Sequence, residues 1–228
     1  MNDLAQNLIE ELQCETVFTI PILGGIPVSE AVVVTWIIMA VLVVVSFILT
    51  RNLKVDHISK RQAVAESIVT GLMKMVQGMV GEKGTAYVPY LTTVMLYIGV
   101  SNIIGLFGFK SPTKDLRVTV ALALMSIILS EAAGIYHKGV KRWLHGFVEP
   151  VAIVTPINIL EVVTKPLSLC MRLFGNVLGA FVIMELLKMI LPVGLPVVFS
   201  LYFDTFDGLL QAYVFVFLTS LYIDEITE

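Results

Sequence analysis

Arg172 is a charged residue inside an apolar stretch of sequence, KPLSLCMRLFGN at 165–176. The surrounding apolar segment runs from about 148 to 191, so the arginine lies near its middle. An arginine at the centre of a membrane helix costs about 2.5–3.5 kcal/mol, and its guanidinium keeps its proton at physiological pH. It is therefore either part of a buried structural ion pair or a permanent cation that meets a mobile anion. The polar residues around it favour the second interpretation.

Three polar residues share a helix face with one another. Ser168, Arg172 and Asn176 follow at intervals of four residues, which places them on one side of an α-helix. Glu161 lies eleven residues before Arg172. It is then about 20° round the helix and three turns away, provided that the helix continues through Pro166. Polar groups grouped in this way on an apolar helix are typical of an ion or solute pathway.

A second polar stripe lies on the last apolar segment. Asp204, Asp207 and Gln211 fall within about 100° of one another on a helix. Carboxylates on an apolar helix are costly unless they have partners or water. One alternative is that both aspartates lie at the outer membrane interface and are simply hydrated. Gln211 lies deeper, and we expect it to hydrogen-bond Arg172 or Asn176 on the preceding helix.

No other chemistry is visible in the sequence. It contains no phosphate-binding glycine loop, no nucleophile elbow and no metal-ligand spacing, so we expect no catalytic residue, cofactor or metal. Cys14 and Cys170 lie in different contexts, a polar segment and an apolar helix, and we expect no disulfide between them. His57, His137 and His145 lie near the ends of apolar segments and are interpreted as solvated.

The polar stripes must be positioned by an unusually apolar chain. Of its 228 residues, 57% are hydrophobic and 14% are charged, against about 45–50% and 25% in ordinary soluble domains. About 20 consecutive apolar residues can span a bilayer as an α-helix, and the sequence contains several such runs. We therefore predict an all-α integral membrane protein embedded in the lipid bilayer. The net charge of −3 gives no indication of nucleic-acid binding.

The apolar runs predict about five membrane-embedded helices in a single membrane domain, together with an amphipathic helix at the interface. The acidic start of the first 27 residues lacks the cationic character of a signal peptide. These residues are interpreted as an extracellular segment, because basic residues follow the first span. The predicted elements are a first span at 28–50, the interfacial helix at 59–80, further spans at 87–109 and 116–136, and a helical hairpin at 148–223.

Basic residues follow alternate spans along the chain. Arg51 and Lys54 come directly after the first span, and Lys138 and Lys141 come after the third. Basic residues mark the cytoplasmic side of a span. This pattern predicts five crossings, with the N-terminus outside and the C-terminus in the cytoplasm. Lys114 then lies outside, which reduces the charge asymmetry without reversing it.

The first arm of the hairpin, 148–191, is too long for a helix perpendicular to the membrane. About 40 residues would extend roughly 60 Å, twice the thickness of the hydrocarbon. The arm must therefore tilt strongly, lie partly in the membrane plane, or break near Pro156 or Pro166. We predict a long, strongly tilted hairpin that carries both polar stripes.

Four stretches of the sequence form recognisable motifs. They are PINILEVVTKPLSLCMRLFGN at 156–176, GLLQAYVFVFLTSLYI at 208–223, SNIIGLFGF at 101–109 and PTKDLRVTVALAL at 112–124. Together they resemble subunit a of the rotary F-type ATP synthase of bacteria, and KPLSL followed by RLFGN is the most specific signal. The resemblance covers the second to fifth spans. It implies a non-catalytic subunit of the membrane sector CF(0), with ATP chemistry in other subunits.

The resemblance also implies roles for individual residues. Arg172 corresponds to the stator arginine that faces the rotating ring of c subunits. Asn176 and Gln211 match polar positions along the ion path, and Asp204 matches a position that usually carries His or Glu. Glu161 resembles the acid of the cytoplasmic access path. The implied function is to pass protons or sodium ions to and from the c-ring through two half-channels, coupling ion flow to ATP synthesis.

The implied partners and location follow from the same resemblance. They are the c-ring, the b subunits of the peripheral stalk and the remainder of the ATP synthase complex, in a bacterial cell membrane. Neither the coupling ion nor the size of the ring follows from the sequence.

The sequence departs from the family pattern nine residues after Arg172. Many members have Glu or His there, whereas this chain has Phe181, and the next carboxylate is Glu185, one turn further on. The outer half-channel is therefore expected to use Asp204, Asp207 or Glu185. We rank Asp204 first, because Glu185 lies about 220° round the helix from Arg172.

Two other functions are compatible with an intramembrane arginine. A secondary transporter would bind a solute beside Arg172, and it predicts internal repeats or paired broken helices, neither of which the sequence shows. A structural membrane scaffold would not require Asn176, Gln211 and several carboxylates to share helices with Arg172. Both alternatives explain fewer of the polar residues than an ion path does.

Overall fold

The computed structural model describes residues 16–20, 26–51, 59–107, 109, 111–146, 155–190 and 199–227. Five helices in this part of the chain are long and apolar enough to cross a membrane. Their ranges are Glu30–Thr50, Gly84–Leu106, Leu116–Lys138, Thr155–Met184 and Leu201–Thr227. The structure therefore confirms the prediction of an all-α membrane protein with about five spans.

The helices alternate in direction along the chain, and short 3-10 turns connect several of them. We call the end of the bundle that carries Pro112 the upper end, and the end that carries Gly139 the lower end. The elements are β1 (Thr16–Ile20), β2 (Ile26–Ser29), α1 (Glu30–Thr50), α2 (Lys60–Gln77), a 3-10 turn (Glu82–Tyr87), α3 (Val88–Ile103), 3-10 turns (Ile104–Phe107 and Pro112–Lys114), α4 (Leu116–Lys138), α5 (Val140–Gly146), α6 (Thr155–Ile190), a π-helical segment (Leu201–Asp207) and α7 (Gly208–Thr227).

Two short antiparallel strands, β1 and β2, precede the first span, and their pairing was not predicted from the sequence. Asp115 ties this hairpin to the start of α4. Its carboxylate accepts a hydrogen bond from Ser29 Oγ at 2.9 Å and caps the helix by accepting from the Arg117 N–H at 2.9 Å. At the other end of α4, Gly139 has a φ of 77°, which favours glycine and allows the chain to turn into α5.

The core of the bundle lies between α3, α4 and α7, with α6 packed along α4. Its largest fully buried side chains include Leu91, Ile98 and Phe215. The first span, α1, is buried only near its upper end, through residues such as Val34 and Ile38, and its lower half exposes apolar side chains. Apolar side chains on the outside of a helix suit lipid as the surrounding solvent.

One continuous helix, α6, forms the first arm of the predicted hairpin. Its 36 residues extend about 54 Å, more than the roughly 30 Å of bilayer hydrocarbon, so it has to cross at a strong tilt. Pro166 lies inside the helix without ending it, so the alternative of a break near Pro166 is wrong. The helix begins at Thr155, next to Pro156, and the predicted residues before it lie outside the described ranges. The helix packs against α4 and α7, and a proline inside a membrane helix is tolerated where neighbouring helices pack against it. The second arm extends to Thr227, beyond the predicted end at 223.

The structure describes some of the cysteines and histidines discussed above, and the others lie outside the described ranges. Cys170 is buried and forms no disulfide, whereas Cys14, His57 and the basic residue Lys54 lie outside the described ranges. His137 and His145 are exposed near the lower end.

Candidate functional site

The side chain of Arg172 is exposed on α6. Leu169 and Leu173 beside it are buried in the core, so α6 packs on the bundle through one face and leaves the arginine outside that contact. Ser168 and Met171 are exposed as well. Among the described residues, Arg172 has no hydrogen-bond or ion-pair partner. For this part of the chain, the alternative of a buried structural ion pair is therefore wrong.

A polar cavity, which we call the upper cavity, lies at the upper end between α3, the 111–114 turn, α6 and the last helix. Its volume is about 260 Å³, which is enough for several water molecules. Four candidate residues line it together: Asn176 from α6, and Asp204, Asp207 and Gln211 from the last helix. Asn176, from the first predicted stripe, therefore shares one cavity with the whole second stripe, whereas Ser168 and Arg172 do not line it.

One hydrogen bond crosses the hairpin at the upper cavity. The side-chain amide of Asn176 donates to Oδ2 of Asp207 at 2.5 Å. Gln211 is buried, and its Nε2 has no hydrogen-bond partner among the described residues. The expected bond from Gln211 to Arg172 or Asn176 is therefore wrong, because Asn176 pairs instead with a charged acceptor one turn higher on the last helix. The Gln211 amide is left unpaired at the cavity wall.

Asp204 is positioned by the π-helical segment at the top of the last helix. A π-helical turn is wider than an α-helical turn, and such turns are frequent at functional sites. Ser200 Oγ donates to Oδ2 of Asp204 at 2.7 Å. The chain after α3 passes close by, since a Cβ on Gly105 would lie 3.3 Å from Oδ1 of Asp204. These contacts hold Asp204 half-buried in the cavity wall.

Residues of α3 and the following turn also line the upper cavity, although the sequence assigned them no individual role: Asn102, Ser111 and Lys114. The Asn102 amide donates to the Gly208 carbonyl at 2.9 Å, and its Oδ1 accepts from Thr113 Oγ1 at 2.8 Å. A Cβ on Gly208 would lie 2.7 Å from the Asn102 Cβ, so glycine permits this approach. The sequence feature that could have identified Asn102 is that it is an asparagine inside an apolar helix.

Phe181, which stands where the family usually has an acid, also lines the upper cavity. The Lys114 ammonium lies 4.2 Å from the centroid of its ring, within the range of a cation–π interaction. Glu185 belongs to α6 one turn beyond Phe181, but its side chain lies outside the described residues. The ranking of Asp204 above Glu185 therefore stays a prediction.

A second polar cavity, which we call the lower cavity, has a volume of about 460 Å³ and lies between α4, α5, α6 and α7. Glu161, which the resemblance assigns to an access path, lines it. Lys165 Nζ lies 3.0 Å from both carboxylate oxygens of Glu225 and 3.8 Å from Oε2 of Glu161. On another wall, the Trp143 indole donates to Oε2 of Glu131 at 2.9 Å. The sequence reasoning missed Lys165 and Glu225, although each is a charge on an apolar helix.

The two cavities lie above and below Arg172. Asn176 is the lowest α6 residue of the upper cavity, one turn or about 6 Å above Arg172. Lys165 is the highest α6 residue of the lower cavity, about 10 Å below it. Ser168 lies on α6 between Lys165 and Arg172, and it lines neither cavity. Arg172 therefore lies on α6 between two polar cavities and lines neither of them.

Known proteins match most of this chain in sequence. A family model described as ATP synthase A chain matches residues 32–224. The ATP synthase subunit a of Moorella thermoacetica is 35% identical, with 88% of this chain and 92% of that protein covered. The sodium ion specific ATP synthase subunit a of Propionigenium modestum is 34% identical, with 87% and 74% covered. The ATP synthase subunit a 1 of Chlorobaculum parvum is also 34% identical, with 90% and 91% covered.

The matched residues extend from α1 into α7 and include Arg172, the residues that line the upper cavity, and those that line the lower cavity apart from Glu225 and Ile226. The resemblance inferred from the motifs is confirmed, and the alternative of a secondary transporter is not favoured. The chain belongs to the ATP synthase A chain family.

Proposed function

We propose that this chain is the stationary ion-path subunit in the membrane sector of an ATP synthase. It provides two half-channels that carry protons or sodium ions to and from a rotating ring of c subunits, and it thereby couples ion flow to ATP synthesis. The observation that carries the proposal is the exposed position of Arg172 on α6, between polar cavities at opposite ends of the bundle.

The charge of Arg172 has a direct physical role in this mechanism. A membrane-buried carboxylate on a c subunit can cross lipid only when a proton or a bound ion neutralises it. Beside Arg172 the ionised carboxylate is favoured, because a nearby opposite charge lowers its affinity for the ion. The guanidinium keeps its own charge at any physiological pH, so each passing carboxylate meets the same cation.

The two cavities provide the routes to and from that meeting point. On the upper side, the ion passes along the aspartates and amides of the upper cavity, and on the lower side it passes Glu161. Ser168 lies on the face of α6 that the ring approaches. Because Arg172 repels a cation that would move directly between the cavities, ions have to travel with the ring. One charge crossing 100 mV provides about 2.3 kcal/mol. That is less than the synthesis of one ATP requires, so several ions have to cross for each ATP.

The partners and the orientation are part of the same proposal. The exposed face of α6 around Arg172 is assigned to the c-ring, and the peripheral-stalk b subunits and the rest of the complex complete the assembly. Basic residues lie at the lower end, among them Arg51, Lys138 and Lys141. We assign this end to the cytoplasm of a bacterial cell and the N-terminal segment to the outside.

Replacement of the arginine tests the proposal. In assembled complexes reconstituted into vesicles, Arg172→Ala should abolish ATP-driven pumping and ion-driven ATP synthesis, each measured for protons and for sodium. Arg172→Lys should be severely impaired, because a buried lysine can lose its proton and lacks the planar guanidinium. Arg117→Ala is the matched control, since Arg117 is exposed and lines neither cavity. Wild-type coupled transport in an assembled Arg172→Ala complex would contradict the proposal.

A further inference from the structure

One lysine in the lower cavity lies between two carboxylates and joins the two arms of the hairpin. Lys165 Nζ, on α6, lies 3.0 Å from both carboxylate oxygens of Glu225 on α7 and 3.8 Å from Oε2 of Glu161 on α6. All three residues line the lower cavity. Only 14% of the Lys165 side chain is exposed, against 53% for Glu161 and 56% for Glu225. A shielded ammonium is therefore shared by two carboxylates that remain open to water.

The two carboxylates share this ammonium unequally. Both oxygens of Glu225 lie within hydrogen-bond distance of Lys165 Nζ, whereas the contact with Glu161 is an ion pair too long for a hydrogen bond. The Glu161 carboxylate accepts no hydrogen bond from any residue that the structure describes. Glu225 thus takes up most of the lysine charge, and Glu161 keeps its oxygens free for an incoming ion.

The other charged side chains around the lower cavity come from α4 and α5. They are Glu131, Lys138 and Arg142. Within the described ranges, none of them forms an ion pair with Glu161 or Glu225, and Lys165 is the one cation within 4 Å of either carboxylate. The charge close to Glu161 is therefore set by Lys165 and by the partner that Lys165 holds.

We infer that Lys165 and Glu225 are positioning residues of the lower half-channel, and that the balance of their charges sets how tightly Glu161 binds the transported ion. One ammonium and two carboxylates carry a formal charge of −1, which a single proton or sodium ion neutralises. Without Lys165 the two carboxylates would hold the ion too tightly for release, and without Glu225 the lysine would oppose its binding. The inference rests on the proposed function, because it assigns roles within the same path.

The test measures ATP-driven pumping by intact complexes in inside-out vesicles, where the lower cavity faces the bath in the proposed orientation. The pumping rate is followed against the bath concentration of the ion that wild type pumps. Lys165→Met should lower the half-saturating concentration by about tenfold, the low end for loss of a neighbouring opposite charge, because exposed carboxylates are screened. Glu225→Gln should raise that concentration by a similar factor. The double variant restores the formal charge of −1 and should lie close to wild type.

Two further variants separate this role from a structural one. Lys165→Arg keeps the charge and should leave the half-saturating concentration close to wild type. Lys141→Gln removes an exposed charge at the lower end that lines neither cavity, and it should also match wild type. Loss of packing alone would reduce the maximal rate, but it would not move the half-saturating concentration in opposite directions in the two single variants.

Three results would overturn the inference. They are shifts in the same direction in Lys165→Met and Glu225→Gln, a reduced maximal rate with an unchanged half-saturating concentration, and an equal shift in Lys141→Gln. If Lys165→Met does not assemble, Glu225→Gln and the double variant still decide, because removal of the lysine has to reverse the effect of Glu225→Gln. Failure of the proposed function is distinguishable, because assembled Arg172→Ala complexes would then pump like wild type, whatever these variants do.

Discussion

Arg172 is unusual because no described residue of its own chain neutralises it. On a helix whose neighbouring positions are apolar, a guanidinium that faces only lipid is costly. The cost is offset if an anionic group from another chain faces the arginine in the assembled protein. The exposed position of Arg172 therefore supports the proposal that the c-ring faces this part of α6.

The polar residues of the upper cavity were predictable from the sequence, but their pairing was not. Asn176, Asp204, Asp207 and Gln211 were chosen because they share helix faces, and they line one cavity. Which amide meets which carboxylate depends on the axial offset between two helices, and helical periodicity carries no information about that offset. The Asn176–Asp207 bond and the unpaired Gln211 amide therefore became visible only in the structure.

Asp204 is the residue that we expect to receive the ion in the upper cavity. Phe181 offers no charge there, and Asp207 already accepts a hydrogen bond from Asn176. Oδ2 of Asp204 accepts from Ser200, which leaves Oδ1 for water or the ion. Asp204→Asn should slow passive ion flux through head-stripped complexes in both directions by roughly 10²-fold, the lower range for loss of a proton-transfer group.

The competing residue for this role is Glu185. It lies about 220° round the helix from Arg172, so Glu185→Gln is expected to leave the flux close to wild type. Assembly of each variant is checked before the flux is measured. Normal flux in Asp204→Asn, together with blocked flux in Glu185→Gln, would reverse the assignment and move the path onto α6.

The last helix is the element for which ideal helical periodicity fails. The polar stripe of the last apolar segment was predicted on the assumption of a regular α-helix, but Leu201–Asp207 is π-helical. A π-helical turn accommodates an extra residue and changes the angular position of every side chain above it. The angle between Asp204 and Gln211 was therefore derived from a rule that does not hold there. Both side chains nevertheless line the same cavity.

Close packing between α3 and the last helix depends on Gly208. A Cβ at this position would lie 2.7 Å from the Asn102 Cβ. Gly208→Ala should push the helices apart and weaken the bond from Asn102 to the Gly208 carbonyl, lowering the free energy of unfolding by about 1–3 kcal/mol. Thermal unfolding in detergent, followed by circular dichroism, measures the change.

Gly71→Ala is the control for this variant. Nothing lies within 4 Å of a Cβ at that position of α2, and alanine is a better helix former than glycine. Its unfolding midpoint should therefore equal or exceed that of wild type. An unchanged midpoint for Gly208→Ala would show that the two helices can separate without loss of stability.

The architecture of the whole molecule was largely predictable because the bilayer constrains it strongly. A span has to satisfy its backbone hydrogen bonds internally and present apolar side chains to lipid, so long apolar runs become helices. The ends of α1 and α4 agree with the predicted spans to within two residues. The β1–β2 pairing was missed because short strands outside the apolar runs give a weak signal. The continuity of α6 through Pro166 was not predicted, because proline in a helix interior usually kinks or breaks the helix.

Orientation in the membrane decides which cavity opens to which compartment. In a background without Cys14 and Cys170, cysteines at Lys141 and Arg117 would occupy exposed positions toward the lower and upper ends. We expect an impermeant maleimide to label Lys141→Cys only from the cytoplasmic side, and Arg117→Cys only from outside, because basic residues mark the cytoplasmic ends of spans. Intact cells and inside-out vesicles provide the two accessible sides. Labelling of both positions from one side would contradict α4 as a span, and the reversed pattern would exchange the roles of the two cavities.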